Sequence, residues 1–513
     1  MLEEKTTELG ASAVRTTFWL STGLTTSTII SAIAMILIAR LLGPAGYGIY
    51  SAALAPVSII GLFRDWGTNV AITRYVAYYR SEASLRASYM RSAVFFEFLS
   101  GGLISILLFV FSKHIAIYVL KKPEVDLLIS IASIIVLTTG LGAVANGFLL
   151  GIERADIIGF LLVFFSIFRN SLALVLILFG WGSLGAVIGQ TIGFSLNGIS
   201  SFIIAIFIAK PRGKVLEPLK DMLSYGLPYA VVLIMTGLSM RLYNLIAARM
   251  LEYGDYGAFA AAFNVFTSLM GILGTITTGF LPSFSRINTN DIPQIFEKAV
   301  KYTSFLIAPL ITVLITTAQP LMTIVFGSEY AEAGGYFTLM AITYLTSIFG
   351  IQVINSILLG LAETKTIAKI WIPALGVGVG LVVYVASILG AYGLITSIII
   401  TYSVASFLGL MVMRNYNATI SAKFTLKILL IILLAIFAGL WSRCSLNVYM
   451  NFIISLVVTT LVYLIALIAI RPLEITEIAE ITKYVRSVPI LGRVLSKILS
   501  IYCFLAFKSK ISS

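Results

Sequence analysis

The chain has 513 residues, of which 59% are hydrophobic and 11% charged, and its mean hydropathy is +1.02. A soluble globular protein carries about 25% charged residues, so this composition excludes a water-soluble fold and makes membrane spans the unit to count. A net charge of +13 would suggest nucleic acid in a soluble chain. Here most basic residues flank apolar runs, where they set topology and meet anionic lipid, and no nucleic-acid partner is expected.

The first fifteen residues carry Glu3, Glu4, Lys5 and Glu8 and lack an apolar stretch ahead of a small-residue cleavage site, so the first span is expected to be retained. Fourteen apolar spans follow, with cores at 17–40, 48–73, 90–112, 126–151, 157–180, 184–209, 222–249, 256–281, 299–318, 334–360, 367–389, 392–413, 425–442 and 449–470. Each is near the ~20 residues that a helix needs to cross, and the runs are continuous rather than alternating, which argues against a β-barrel. With both termini cytoplasmic, the inner loops, arm and tail hold about four times as many Lys and Arg as the outer loops. A cysteine introduced at Gly213 is then expected to resist an impermeant thiol reagent in intact cells.

One stretch occurs twice. Residues 38–53, IARLLGPAGYGIYSAA, and residues 247–262, AARMLEYGDYGAFAAA, align at an offset of 209. The same offset places Asn146, Leu149, Leu150 and Gly151 on Asn355, Leu358, Leu359 and Gly360. Two matches in one register indicate an internal duplication. Spans 1 and 7 both begin inside, so the copies are parallel, related by an axis along the membrane normal. The expected fold is an all-α polytopic membrane protein of about fourteen helices. It has an N-terminal lobe (1–209), a cytoplasmic linker (210–221), a C-terminal lobe (222–413), two extra spans (425–470) and a cytoplasmic amphipathic tail (471–513). The tail carries Ile475, Ile478, Ile481 and Val485, then Leu491, Val494, Leu495 and Ile498, at helical spacing. It reads as helices lying on the membrane surface or as a loosely ordered basic tail.

Ionisable groups inside spans are costly and default to function. They are Arg64 and Asp65 in span 2, Glu97 in span 3, Arg169 in span 5 and Arg241 in span 7. The three arginines stand at different distances from the span ends, which suits an anion that must travel, and arginine binds phosphate bidentately. Arg64 is also open to simple pairing with Glu97. Asp65 and Glu97 are coupling or structural carboxylates. The offset maps Arg64, Arg169 and Arg241 onto Leu273, Gly378 and Ala32, so the charges are not part of the shared framework. Asn146 and Asn355 occupy equivalent sites, where bonding across helices or substrate contact are the two readings.

The single histidine, His114, leaves little for a His-based metal site or acid–base catalyst, and Cys444 and Cys503 form no disulfide framework. No Walker A motif and no D-x-D pair are present. No enzyme activity, metal or cofactor is expected.

The segment IARLLGPAGYGIYSAALAPVSIIGLFRDWGTNVAITRYVA resembles the opening of polysaccharide biosynthesis proteins, the Wzx-type oligosaccharide flippases. Their superfamily (MOP) also holds multidrug (MATE) exporters and lipid II flippases. The likeness rests on the LLGP-x-x-YG turn after span 1, the D-x-G of Asp65 and Gly67, Arg74-Tyr75 closing span 2, and the LLG ending span 4. It implies a monomer of the cytoplasmic membrane that moves a polyprenyl- or dolichyl-linked oligosaccharide by alternating access, coupled to H+ or Na+. Basic cavity residues would hold the (pyro)phosphate and the extra helices a lipid groove. Membrane lipid, the lipid-linked oligosaccharide, and glycosyltransferases or a polymerase of the same pathway are the implied partners. Span 1 has no arginine before Arg40 and no carboxylate, which disfavours the lipid II branch and an ion-coupled drug antiporter in turn. The antiporter and a membrane-embedded transferase are the alternatives.

Overall fold

Helices occupy nearly all of the residues that the computed structural model describes, which are 2–278, 291–361, 363–443, 447–486, 496–497 and 502–503, and no strand is present among them. Arg286, Cys444, Leu491, Val494, Leu495 and Ile498 lie outside the described residues. Eight described segments are long and apolar enough to cross a membrane. The bent pair Ser328–Phe349 and Ile351–Gly360, which meet at 53°, makes a ninth. Three of the eight are double-length: Arg15–Arg64 turns at Gly43, Ala155–Ala209 at Gly180 and Gly182, and Lys365–Arg414 at Gly390. Counting each of these as two legs gives twelve among the described residues, and the helices Leu216–Met250 and Tyr253–Thr278 occupy the places of the two remaining spans that the sequence pattern predicts.

The chain divides into two compact units, residues 1–261 and 262–513. The first holds α1 (Leu2–Ile60), α2 (Thr68–Tyr78), α3 (Ala83–Val110), α4 (Asp126–Ala132), α5 (Ile134–Gly151), α6 (Ala155–Leu176), α7 (Gly182–Ala209), α8 (Leu216–Met250) and the start of α9 (Tyr253–Thr278). Ile72, Met90, Phe148 and Met222 lie in one of its buried cores. The segment 210–221 is not a free linker. Ser88 Oγ donates to Lys214 O (2.6 Å), Arg91 Nη1 to Gly213 O (2.7 Å), Ser92 Oγ to Val215 O (2.8 Å) and Tyr89 OH to Asp221 Oδ2 (3.1 Å). These bonds tie the segment to α3 and lead α8 back into the first unit, against α1, α2 and α3.

Span 2 is broken, which its apolar run did not foretell. α1 ends at Ile60, a 3-10 turn covers Gly61–Arg64, and α2 starts after Gly67. Asp65 Oδ1 accepts from Gly67 N (2.9 Å), and Gly67 is left-handed at φ 80°. Gly226 of α8 presses its backbone on the same glycine, so no Cβ fits there. A glycine is the one residue free to satisfy both demands, and this accounts for the D-x-G pattern.

The repeated residues turn out to be core. Ala39 and Ala248, Tyr47 and Tyr256, Ala52 and Ala261, Ala53 and Ala262, and Leu149 and Leu358 are all fully buried, whereas Arg40 and Arg249 are exposed. Within the first unit the two motif copies touch. Gly48 lies against the Tyr253 carbonyl and Gly257 against the Pro44 carbonyl. The offset of 209 takes 44 to 253 and 48 to 257, so the contact is reciprocal.

The second unit continues with α10 (Ile292–Phe326), α11 (Ala331–Ile342), α12 (Ile351–Gly360), α13 (Thr364–Arg414), α14 (Ala422–Trp441), α15 (Val448–Ile470) and α16 (Ile475–Arg486). Its core joins Phe305, Phe424, Ile428, Ile431 and Tyr463 to Ile478 and Ile481 of α16. The described part of the tail thus buries its apolar face on protein rather than on the membrane surface. Its acidic side chains explain the choice. Glu480 meets Lys298 at 3.0 Å and accepts from Tyr302 OH at 2.5 Å, and Glu477 meets Lys301 at 3.0 Å. A matched basic helix attracts such a face better than anionic lipid does.

Candidate functional site

The break in span 2 positions the first pair of charges. Arg64 ends the 3-10 turn, and its Nη1 meets Glu97 Oε1 of α3 at 3.2 Å. The carboxylate is 1% exposed and the guanidinium 15%. Glu97 lies against Gly101 and Gly140, where a Cβ would overlap its oxygen, so two glycines make its room. Ser100 Oγ donates to the Arg64 carbonyl (3.2 Å). The pairing of Arg64 with Glu97 is therefore real. Asp65, one residue on, is taken up by Gly67 N. Arg241 of α8 donates through Nη1 to the Ser58 carbonyl of α1 and stands within electrostatic reach of Arg64.

Arg169 has separate surroundings between α1, α6 and α7. Its Nη2 donates to Ser31 Oγ (2.9 Å), and its guanidinium lies over the Phe194 ring at 4.0 Å. Its Nε is buried without a partner. Ser31 Oγ is 3.0 Å from Ser166 Oγ, which donates to Ser27 O (3.1 Å). Asn170 Nδ2 donates to Ser166 O (2.8 Å), and Gln190 Nε2 to Asn170 Oδ1 (3.3 Å). The result is a polar seam through an apolar bundle. Among the described residues no carboxylate pairs with Arg169. The sequence reading missed Ser31, Ser166, Asn170, Gln190 and Phe194. Ser166 and Asn170 at i and i+4 on one apolar helix were the available signal.

Asn146 and Asn355 differ. Asn355 Oδ1 accepts from Trp371 Nε1 at 3.2 Å. Asn146 Oδ1 is buried and has no partner, and the same holds for Asn69 Oδ1. Both asparagines line a cavity of about 600 Å³ in the first unit, together with Arg74, Tyr225 and an apolar wall. The two halves of the chain thus use an equivalent amide in two ways, one satisfied and one open.

Residues 13–288 match the family model described as "Polysaccharide biosynthesis protein". No curated protein sequence matches the chain. Among solved structures, the chain is similar to a lipid II flippase, MurJ, in an inward closed conformation. The TM-score is 0.72 at 18% identity, covering 88% of this chain and 98% of that one. It is also similar to an inward-facing multidrug resistance MATE family transporter of the MOP superfamily, with a TM-score of 0.61 at 16% identity, covering 77% and 97%. A MOP superfamily transporter from Pyrococcus furiosus aligns with a TM-score of 0.50 at 19% identity, covering 80% and 96%. At these identities the likeness shows the fold.

Proposed function

Because the chain belongs to the polysaccharide biosynthesis protein family, we propose that it is a flippase that carries a polyprenyl- or dolichyl-(pyro)phosphate-linked oligosaccharide across the cytoplasmic membrane. It moves its substrate rather than transforming it, as its fold neighbours do by their own descriptions, flippase and transporter. The observation that carries the reading is Arg169. A buried guanidinium whose partners are a hydroxyl and an aromatic ring retains its charge for an incoming anion. A phosphate in a low-dielectric layer costs many kcal/mol unless it is paired, and an arginine that is not already neutralised is what the crossing needs.

Arg64 and Arg241 serve the same anion under different terms. Arg64 gives up Glu97 to bind it, so its contact is a competition. Arg241 holds a backbone carbonyl and exchanges a neutral acceptor for a charged one. Alternating access then hands the phosphate between cations.

The test is reconstitution in liposomes with a fluorescent lipid-linked oligosaccharide, with and without an imposed proton or sodium gradient. The substrate is expected to become accessible from the opposite face. Arg169→Ala is expected to reduce the rate at least tenfold at equal protein incorporation, and Arg169→Lys to recover part of it, because the planar fork is lost. Wild-type rates in Arg64→Ala, Arg169→Ala and Arg241→Ala together would overturn the reading.

A further inference from the structure

The cavity around Asn146 is explained by neither the three in-span arginines nor the packing of the repeat. It is walled by α1, α2, α5, α6 and α8, all in the first unit, and holds about 600 Å³. That lies within the range of small-molecule sites. Its polar features are of two kinds. Arg74 is exposed, its guanidinium over the Tyr225 ring at 4.1 Å, and among the described residues no carboxylate pairs with it. Asn69 Oδ1 and Asn146 Oδ1 are acceptors buried from solvent without a donor. Buried acceptors of this kind normally carry a partner, and a turn of these two wall side chains would bring them to an occupant that carries donors. The wall beside them is apolar, with Leu24, Leu150 and Leu162, and Leu24 is half exposed.

The internal duplication supplies an independent control. The offset that takes Asn146 to Asn355 takes Leu162 to Trp371 and Ala143 to Gln352. In the second copy the larger indole stands beside the amide and bonds it, at 3.2 Å. In the first copy a leucine and an alanine stand at those places, the amide oxygen has no partner, and a cavity remains. The same backbone frame is compatible with a plug, and the first copy lacks one.

We propose that this cavity binds the head of a polyprenyl-phosphosugar before it reaches the in-span arginines. Arg74 contacts the phosphate, the two asparagine side chains turn toward the cavity so that their oxygens accept from sugar hydroxyl or acetamido N–H groups, Tyr225 stacks on the sugar, and the leucines take the first isoprene units. A phosphate has no donors to offer the amide oxygens, so the site demands a ligand with donors beyond its phosphate. The proposal rests on the chain being a carrier of lipid-linked saccharides, and it names where such a ligand is first held. The cavity lies beside Arg74, near the end of α2 that the charge bias assigns to the cytoplasm, where such a lipid would be loaded.

The full chain in nanodiscs is titrated with three probes: polyprenyl diphosphate-linked N-acetylglucosamine, polyprenyl phosphate, and phosphatidylglycerol. Wild type is expected to bind the sugar-bearing probe about tenfold more tightly than polyprenyl phosphate, the equivalent of one or two hydrogen bonds. Leu162→Trp, which imports the plug of the second copy, is expected to weaken the sugar-bearing probe at least tenfold with an unchanged melting temperature. Asn146→Leu is expected to weaken that probe alone, and Arg74→Gln to weaken both polyprenyl probes by a similar factor. Equal binding of the sugar-bearing probe by wild type, Leu162→Trp and Asn146→Leu would overturn the site. So would phosphatidylglycerol competing as well as the sugar-bearing probe, since the cavity would then hold bulk lipid. If those variants bind and also transport normally, the site is wrong and the flippase reading stands. If wild type neither binds nor transports the sugar-bearing probe, both fail.

Discussion

Asn146 and Asn355 occupy the same position of the same repeated unit, yet Asn355 is bonded to Trp371 while Asn146 lines a cavity and its oxygen is buried without a partner. The contrast extends to charge. Arg64, Glu97 and Arg169 in the first copy correspond to Leu273, Leu306 and Gly378 in the second. At these places the first copy carries charge and an amide oxygen without a partner, while the second is apolar or self-satisfied, and the reverse holds at Arg241 of the second copy, which corresponds to Ala32 of the first. The two copies thus place their buried polar groups at different positions. Availability costs stability, so each difference between the copies has a measurable energetic sign.

The largest difference is expected at Glu97. Glu97→Leu copies the residue of the second repeat but leaves the largely enclosed Arg64 without its counter-ion. It is expected to destabilise the protein by about 3–5 kcal/mol. Arg64→Leu with Glu97→Leu copies both residues and is expected to recover most of that loss, while transport stays impaired. Thermal unfolding in detergent reads the first effect, and the liposome assay the second. A double variant as unstable as Glu97→Leu would mean that the pair is not a unit.

The next difference concerns the amides. Asn355→Leu leaves the buried indole N–H of Trp371 without an acceptor, at a cost of about 1–3 kcal/mol. Asn146→Leu breaks no bond at its oxygen and relieves a buried acceptor, so its melting temperature is expected to be unchanged or higher. Similar losses at the two positions would show that the Asn146 oxygen has a partner in the membrane and would remove the asymmetry.

Much of this was legible in the sequence. The fourteen spans follow from hydropathy, and the duplication from an exact offset. The pairing of Arg64 with Glu97 was one of two readings open for those residues. The break in span 2 was not legible, because Gly61–Arg64 sits inside an apolar run, 48–73, long enough to read as one continuous helix. Only the Asp65 bond to Gly67 and the approach of Gly226 impose the turn. The seam at Ser31, Ser166 and Asn170 escaped because serine and asparagine in a membrane helix read individually as packing residues. The Leu162 and Trp371 contrast was present in the offset. An exchange of one apolar residue for another looks conservative until the indole N–H is seen to find an amide.

The smallest difference is expected where the copies share framework. Gly182 (φ 51°, ψ −134°) and Gly390 (φ 55°, ψ −129°) adopt the same backbone conformation at the start of the sixth leg of each copy. They are 208 residues apart rather than 209, and the extra residue of the first copy is taken up by the π turn Ile177–Trp181 just before Gly182. A Cβ at either glycine meets nothing within 4 Å. The cost of alanine is then backbone strain alone, about 1–3 kcal/mol at each. Gly182→Ala and Gly390→Ala are therefore expected to lower stability equally, within about 0.5 kcal/mol, and to add in the double variant, because the sites share no partner. Neither change touches a charge or the cavity, so transport per folded molecule should be the same in both. A markedly larger loss at Gly182 would mean that the first copy is strained throughout. The stability differences at Glu97 and Asn146 would then reflect a weaker scaffold rather than groups held open for a substrate.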